Sequence, residues 1–398
     1  MTDSTVNAKA LVTPPSSSGP VSAPNIVEVA RRYRVSPFRQ LREMVQLNLG
    51  QGRVAQKDYY SLGLYDPAIS AEAKRAYVGV KGSHQLNWRL NPSELSRATH
   101  FMRDKVLYPS LLTQLGIAST RTQAVAQADR LYGNIPTLST PEEISGFLRR
   151  EAAYPIFAKP RNASGSFGSA LLTGIDDDML VLGSGRRVAL EAFCREVFTD
   201  YPDGFLFQTA LRQHPDMAAM TGGVAVGSLR IVTLRDEALP RPLYALWKLP
   251  SPKAMSDNFW QEGSMVAAVD DAGRLSRARI GTGLQGRWIA EHPVSGMAFD
   301  GFEVPHFHAA LDVAARAHAM FPDFGLIGWD IAICADGPVI IEANDSPHHT
   351  LYQLAFGQGV RNPGLLPRLE AAIARSDRMR AAKKARPGGR LRSKYHRR

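Results

Sequence analysis

Apolar residues recur at helical spacing over residues 26–33 and 38–49, which predicts two helices near the start of the chain. Ser70-Ala-Glu-Ala-Lys and Asn91-Pro92-Ser93-Glu94 each carry a capping side chain followed by first-turn acid or proline, so two more helix starts are expected there. Beyond residue 100 the texture becomes mixed. Helices are predicted over 107–115, 141–150, 306–320 and 363–374. The third presents Phe307, Leu311, Ala314, Ala315 and His318 on one face. Strands are predicted over 155–160, 170–172, 205–211, 228–234, 243–249, 265–269, 327–334 and 339–343. No internal repeat is visible.

The last two strands flank Ala335-Asp336-Gly337, a hairpin signal. With those three residues as the loop and Gly337 left-handed, Cys334 faces Pro338 and Asp330 lies opposite Glu342. Side chains alternate along a strand, so Asn344 joins Glu342 on that face. A two-residue loop would turn Asp330 to the other face, which makes the register an expectation in its own right. Asp, Glu and Asn are hard oxygen donors, the type that holds Mg²⁺ together with phosphate oxygens. Ile331, Ile333, Val339 and Ile341 would supply the opposite, apolar face. The same alternation also suits a hairpin that shows its polar face to solvent.

Upstream residues favour the metal reading. Lys159 ends an apolar strand and precedes Asn162-Ala-Ser-Gly-Ser-Phe-Gly-Ser169, whose small residues let backbone amides approach phosphate closely. That loop is not a Walker motif. Arg230 interrupts the apolar run 229–234, where a charge faces either a partner or solvent. Its forked guanidinium suits polyphosphate. Lys248 could serve the same phosphates. Lys105 reads more simply as a helix-surface charge.

Length and composition narrow the field. The 398 residues imply two or three domains, and 44% hydrophobic with 21% charged residues is ordinary for a soluble globular protein. No apolar run is long enough to span a membrane, and residues 1–20 do not read as a secretory signal. Residues 1–25, rich in Ser, Thr, Pro and Ala, are expected to be disordered. Two cysteines, Cys194 and Cys334, exclude a disulfide framework and a four-cysteine zinc site, and a cytoplasmic location is the simplest expectation. The net charge is +11, but residues 375–398 hold eleven Lys/Arg against Asp377 alone, a balance of +10. The remainder is nearly neutral, so nucleic-acid binding by the whole surface is disfavoured. A disordered basic tail over 375–398, able to bind polyanions weakly, is expected.

Together these pieces resemble the ATP-grasp superfamily, and most of all its sugar-transfer-associated group. The landmarks are Asp104-Lys105-Val106, Phe157-Ala-Lys159-Pro160 with Ser164-Gly-Ser-Phe-Gly168, Gln213-His214-Pro215, Ser228-Leu-Arg230, Asp257-Asn258-Phe259 with Gly263, and Gly328-Trp-Asp330 through Glu342-Ala-Asn344. The resemblance implies an α+β ATP-grasp fold: a helical region over 26–100, a lid-side subdomain over 101–205 and a metal-side subdomain over 206–374. It implies that ATP is contacted by Lys105, Lys159, Ser164, Gly165, Ser166, Gly168, Gln208, His214 and Arg230. Gln208 stands where many relatives have an acid. Mg²⁺ would be held by Asp330, Glu342 and Asn344, and Arg230 and Lys248 would act in catalysis. The implied activity is ATP-dependent ligation of an unidentified carboxylate to an unidentified amine, small-molecule or peptide, through an acyl phosphate. A kinase-like phosphotransferase and a non-catalytic nucleotide-binding scaffold are the alternatives. His348, His349 and Tyr352 are candidates either for an acceptor pocket or for ordinary loop and helix-start positions.

Overall fold

A computed structural model describes residues 25–162, 168–223, 225–251 and 254–385. The expectation of disorder for the N-terminal segment, and those for Ser164, Gly165 and Ser166, lie outside the described residues.

Two seven-stranded sheets organise the chain. The first contains β1 (Thr122–Ala126), β2 (Thr137–Leu138), β3 (Ile156–Pro160), β4 (Ala170–Asp176), β5 (Met179–Leu182), β6 (Arg187–Ala189) and β7 (Phe205–Thr209), in the order β2-β1-β7-β3-β4-β5-β6. The second contains β8 (Ser228–Leu234), β9 (Arg241–Leu249), β10 (Met265–Val269), β11 (Leu275–Ile280), β12 (Arg287–Ile289), β13 (Leu326–Cys334) and β14 (Gly337–Asn344), in the order β12-β11-β10-β9-β8-β13-β14. Helices Pro141–Arg150 and Leu190–Asp200 cover the first sheet. The first of them starts as its sequence dictates, with the Thr140 hydroxyl accepting the Glu143 N–H at 3.2 Å and Pro141 next to the cap.

The second sheet is buried on both faces, and alternation along β8 shows how. Leu229 and Ile231 pack toward helix Phe307–Ala319, while Val232 and Leu234 join the core formed with the N-terminal helices. The buried face of Phe307–Ala319 is Phe307, Ala310, Ala314, Ala317 and His318, with Leu311 and Ala315 only half-buried at its flank. Among the described residues no helix is long and apolar enough to cross a membrane.

Three expectations are corrected. Residues 92–95 form a turn and start no helix. Asn91 is instead a buried pin: its amide donates to the carbonyls of Leu326 (2.7 Å) and Asp345 (2.6 Å) and accepts the N–H groups of Gly325 (2.8 Å) and Leu326 (3.0 Å). The last helix does not stop near 374 but spans Leu366–Ala385. Leu369, Ala372, Ile373 and Ser376 are buried on it, Arg380 pairs with Glu94 at 3.1 Å, and Arg375 donates to the Pro322 carbonyl at 3.0 Å. Arg375 and Arg380 are thus tethered to the folded body, and 386–398 lie outside the described residues. The third correction concerns the β13–β14 hairpin. Cys334 pairs with Gly337, which is a two-residue turn, and Ile331 pairs with Ile340. A bulge between Asp330 and Ile331 then skips one residue, and Asp330 still falls opposite Glu342. The expected pairing is present, by a different route. Consequently Ile340 and Ala343 face the core with Ile331 and Ile333, whereas Val339 and Ile341 are half-exposed.

Candidate active site

A cleft of about 580 Å³ separates the two sheets. Phe157, Lys159, Leu171 and Gln208 line it from the first sheet. Arg230, Lys248, Asp330, Glu342 and Asn344 line it from the second. Residues 210–213, which link the sheets, run along its edge, and residues 255–260 wall it from the side. The bulge of β14 turns Ile341 and Glu342 toward this space.

Asp330 sits at the centre of a buried charge network and is 7% exposed. Arg230 grips it with two bonds, Nε to Oδ1 at 2.5 Å and Nη2 to Oδ2 at 3.0 Å. Lys248 Nζ lies 3.1 Å from Asp330 Oδ2 and 2.9 Å from Asp257 Oδ2. Asp257 also accepts the Ser228 N–H at 3.3 Å and the Ser228 hydroxyl. Burial alone would raise the Asp330 carboxyl, but Arg230 and Lys248 hold it well below the ordinary carboxylate range. Burial likewise opposes the charge on Arg230 and Lys248, and the facing carboxylates hold both above their usual values. Among the described residues Glu342 has no hydrogen-bond or ion-pair partner, and Asn344 Nδ2 is buried without one.

Across the cleft, Lys159 is 7% exposed. Its ammonium is pushed down to about 8, first by burial and then by nearby Lys105, against the opposing pull of Glu342, Asp257 and Asp330. Lys105 is not a helix-surface charge. It occupies the link between helices Thr99–Arg103 and Leu107–Gln114 and lines the cleft. Asp104 fixes that link by accepting the N–H groups of Val106 and Leu107, both at 3.0 Å.

Other expected positions separate. Gln208 lines the cleft, but its amide donates to the hydroxyls of Thr120 and Thr122, both at 3.2 Å. His214 does not reach the cleft. It caps helix Pro215–Thr221 through the Asp216 N–H at 3.3 Å, while neighbouring Gln213 lines the site. Gly168 adopts φ +71°, and a side chain there would overlap Tyr201 and Pro160, so its glycine is required by the backbone and by space. His348 lines the cleft. His349 is core: it contacts the Tyr244 hydroxyl at 3.1 Å and Asn87 Oδ1 at 3.0 Å, and burial pushes its imidazole down to about 3. Tyr352 is also core, stacked on Phe356. Asp257 is the site residue whose chemistry the sequence did not reveal. Its one signal was membership of the Asp257-Asn258-Phe259 landmark, since an isolated loop acid carries no periodicity.

Among the described residues no three His, Cys, Asp or Glu side chains gather so as to hold a metal. The oxygen set here is two carboxylates and one carboxamide, Asp330, Glu342 and Asn344, on paired strands. Such a set suits a hard cation whose remaining ligands come from a phosphate-bearing substrate.

The profile described as sugar-transfer associated ATP-grasp matches residues 82–370. A comparison with curated proteins finds no match. Among solved structures, the chain is similar to the D-alanine-D-alanine ligase from Coxiella burnetii at 12% identity and a TM-score of 0.41, covering 71% of this chain and 60% of that one. It is similar to an L-amino acid ligase from Bacillus licheniformis at 15% identity and a TM-score of 0.37, covering 69% and 48%. It is also similar to the ATP-grasp ligase PsnB, solved with a precursor peptide and AMPPNP, at 14% identity and a TM-score of 0.35, covering 72% and 61%. The chain therefore spans less than two thirds of each of these proteins. With the family profile running from within the N-terminal helical region to the last helix, and the cleft lying between two α+β layers, this chain belongs to the sugar-transfer associated ATP-grasp family.

Proposed function

We propose that this protein is an ATP-dependent carboxylate–amine ligase that works through an acyl phosphate, with Mg-ATP in the cleft between the sheets. One observation carries the reading: Asp330, Glu342 and Asn344 share a single cleft with Arg230, Lys248, Lys105 and Lys159. A bound triphosphate needs both sets, cations for its oxygens and oxygen donors for its counter-ion.

Asp330, Glu342 and Asn344 would hold Mg²⁺. The fit rests on the unpartnered Glu342 carboxylate and the uncommitted Asn344 amide, with Asp330 sharing its oxygens with Arg230 and Lys248. Held there, the ion would supply Lewis-acid withdrawal of charge from phosphate oxygens, which would make the phosphoryl group easier to transfer. Arg230 then neutralises charge on the moving phosphoryl group, and Lys248, held by Asp257, supports the same oxygens. Lys105 and Lys159 approach the nucleotide from the lid side. The backbone over 205–211 would recognise adenine, and Gln208, which stands where many relatives have an acid, has its amide committed to Thr120 and Thr122. Ser164, Gly165, Ser166 and Gly168 belong to the loop that would cover the phosphates and exclude water.

The chemistry balances in two steps. A substrate carboxylate oxygen attacks the γ-phosphorus as ADP leaves with its bridging oxygen. An amine nitrogen then attacks the acyl carbon, the bond to the phosphate oxygen breaks, and phosphate leaves while the nitrogen gives up a proton. Positioning and electrostatics are the protein's contribution.

The test is ADP release over a panel of carboxylates and amines. Release that needs one of each, and that vanishes in Asp330→Ala and Glu342→Ala while both variants stay folded by circular dichroism, is the expected result. Parental turnover in either variant removes the metal assignment. Phosphate transfer to a hydroxyl with no amine requirement replaces ligation with phosphotransfer.

A further inference from the structure

The geometry points to His348 as the base that takes the proton from the attacking amine as the amide bond forms. This rests on the ligase reading and deepens it, because that reaction releases a proton from nitrogen and needs an acceptor for it.

The run that follows β14 is held at nearly every position. The Asp345 carbonyl accepts the Asn91 amide at 2.6 Å, and the Asp345 carboxylate takes two bonds from Arg103, at 2.9 and 3.0 Å. Asn87 donates to the Ser346 hydroxyl at 3.2 Å and to the Pro347 carbonyl at 2.9 Å. His349 is fixed by Ser83, Asn87 and Tyr244. Pro347 seats against Gly328, where a Cβ would overlap it, beside the Arg230 side chain. Among the described residues the His348 side chain has no hydrogen-bond or ion-pair partner, and it is exposed on the cleft wall. Its ring meets that of His84 edge-on, with centroids 5.1 Å apart. A polar side chain left free on so firmly pinned a backbone is placed to meet a substrate.

The other groups of the cleft are unsuited to the task. Asp330 and Asp257 are paired with Arg230 and Lys248, and Glu342 belongs to the oxygen set assigned to Mg²⁺. Lys159, pushed down to about 8, is still charged at neutral pH and has no lone pair to offer. Among the described residues His348 is the one imidazole lining the cleft. The protein around it withdraws water, and this desolvation, with His84 and Arg230 nearby, holds its imidazole below the ordinary histidine value. Adjoining His349 is itself pushed down to about 3, and Asp345 is neutralised by Arg103. His348 is therefore neutral at pH 7 and carries a free nitrogen lone pair. In the second step the amine nitrogen bonds to the acyl carbon and the phosphate departs with the electron pair of the broken C–O bond. The N–H proton passes to the imidazole lone pair. The imidazolium then returns its proton to solvent, to which His348 and His84 are both exposed.

Hydroxylamine separates this role from a structural one, because it is already neutral at pH 7 and traps an acyl phosphate as a hydroxamate. His348→Gln is compared with the parent full chain on the carboxylate–amine pair that gives the fastest ADP release in the panel, and on the same carboxylate with hydroxylamine. Amide formation at pH 7 is expected to fall about a hundredfold or more, the low end for a lost general base, while hydroxamate formation stays nearly unchanged. The parent is expected to lose amide formation as pH falls through the imidazole titration, and the variant to lack that limb. The His348 imidazole, followed by NMR in the full chain with Mg-AMPPNP, is expected to titrate below the ordinary value of about 6.5. Unchanged amide formation, an equal loss with both nucleophiles, or an imidazole still charged at pH 7 overturns the base and leaves ligation standing. A parent chain that gives neither amide nor hydroxamate from any carboxylate loses the ligase reading and the base with it.

Discussion

Asp330 is the residue on which the cleft turns, because it answers to two cations at once. Removing one partner of so buried an arrangement leaves an uncompensated charge, which is more damaging than the net worth of the pair. Asp257 completes the set by tying Lys248 to the wall formed by residues 255–260. Lys159 is different: it is buried, has weak carboxylate support, and titrates near neutrality. Its ammonium is charged below about pH 8 and neutral above it. A phosphate contact made by Lys159 is thus present at neutral pH and lost as pH rises through 8. Mg-AMPPNP affinity is expected to fall above pH 8, and Lys159→Arg is expected to keep it flat, as read by calorimetric titration across that range. A parent profile that stays level above pH 8 would remove Lys159 from the phosphate contacts.

At the scale of elements, the β13–β14 hairpin shows how small irregularities place chemistry. A two-residue turn continued without interruption would put Ile341 opposite Asp330 and send Glu342 to the core. The bulge restores the pairing with Glu342, while Ile340, on the turn side of the bulge, stays opposite Ile331 in the core. Helix Val80–Leu90 is placed with similar economy. A Cβ at Gly82 would overlap the carbonyl oxygen of Gly52, and one at Gly52 would overlap that of Tyr77. Backbone cannot retreat as a flexible side chain can. Gly82→Ala is therefore expected to destabilise the protein by about 2–3 kcal/mol in chemical denaturation, the upper part of the range for overpacking. A change under about 0.5 kcal/mol, the ordinary surface value, would mean that the helix is free to shift.

The whole molecule joins a two-sheet cleft to a helical region that packs on the second sheet through contacts distant in sequence. Asn91 reaches residues 325, 326 and 345, and Gln353 binds the Val78 backbone on both its oxygen (2.7 Å) and its nitrogen (2.8 Å). The last helix belongs to this assembly, since the Ser376 hydroxyl donates to the Leu90 carbonyl at 2.9 Å. Truncation after Ala385 is expected to leave Mg-AMPPNP affinity and melting temperature unchanged while reducing heparin retention. Truncation after Ala374 is expected to lower the melting temperature by several degrees, because it removes the Ser376, Arg380 and Lys383 contacts. Equal melting temperatures for the two would make the final turns of that helix dispensable.

What the amino-acid order determined alone was whatever depends on near neighbours. Apolar runs identified β8 and β10 with their bounds, Pro141-Glu142-Glu143 announced a helix, and Asp330 with Glu342 and Asn344 marked the oxygen-bearing face. Weakly patterned strands such as β1, β5, β11 and β12 escaped notice, since their stability comes from pairing and not from local preference. Tertiary structure decided the rest: that Asp257 and His348 enter the cleft, that His214 and His349 do not, and that residues 375–385, read as the start of a tail, continue the last helix. Each of those outcomes depends on partners tens to hundreds of residues away, and a side chain's burial, charge and orientation are set by where the chain returns in space.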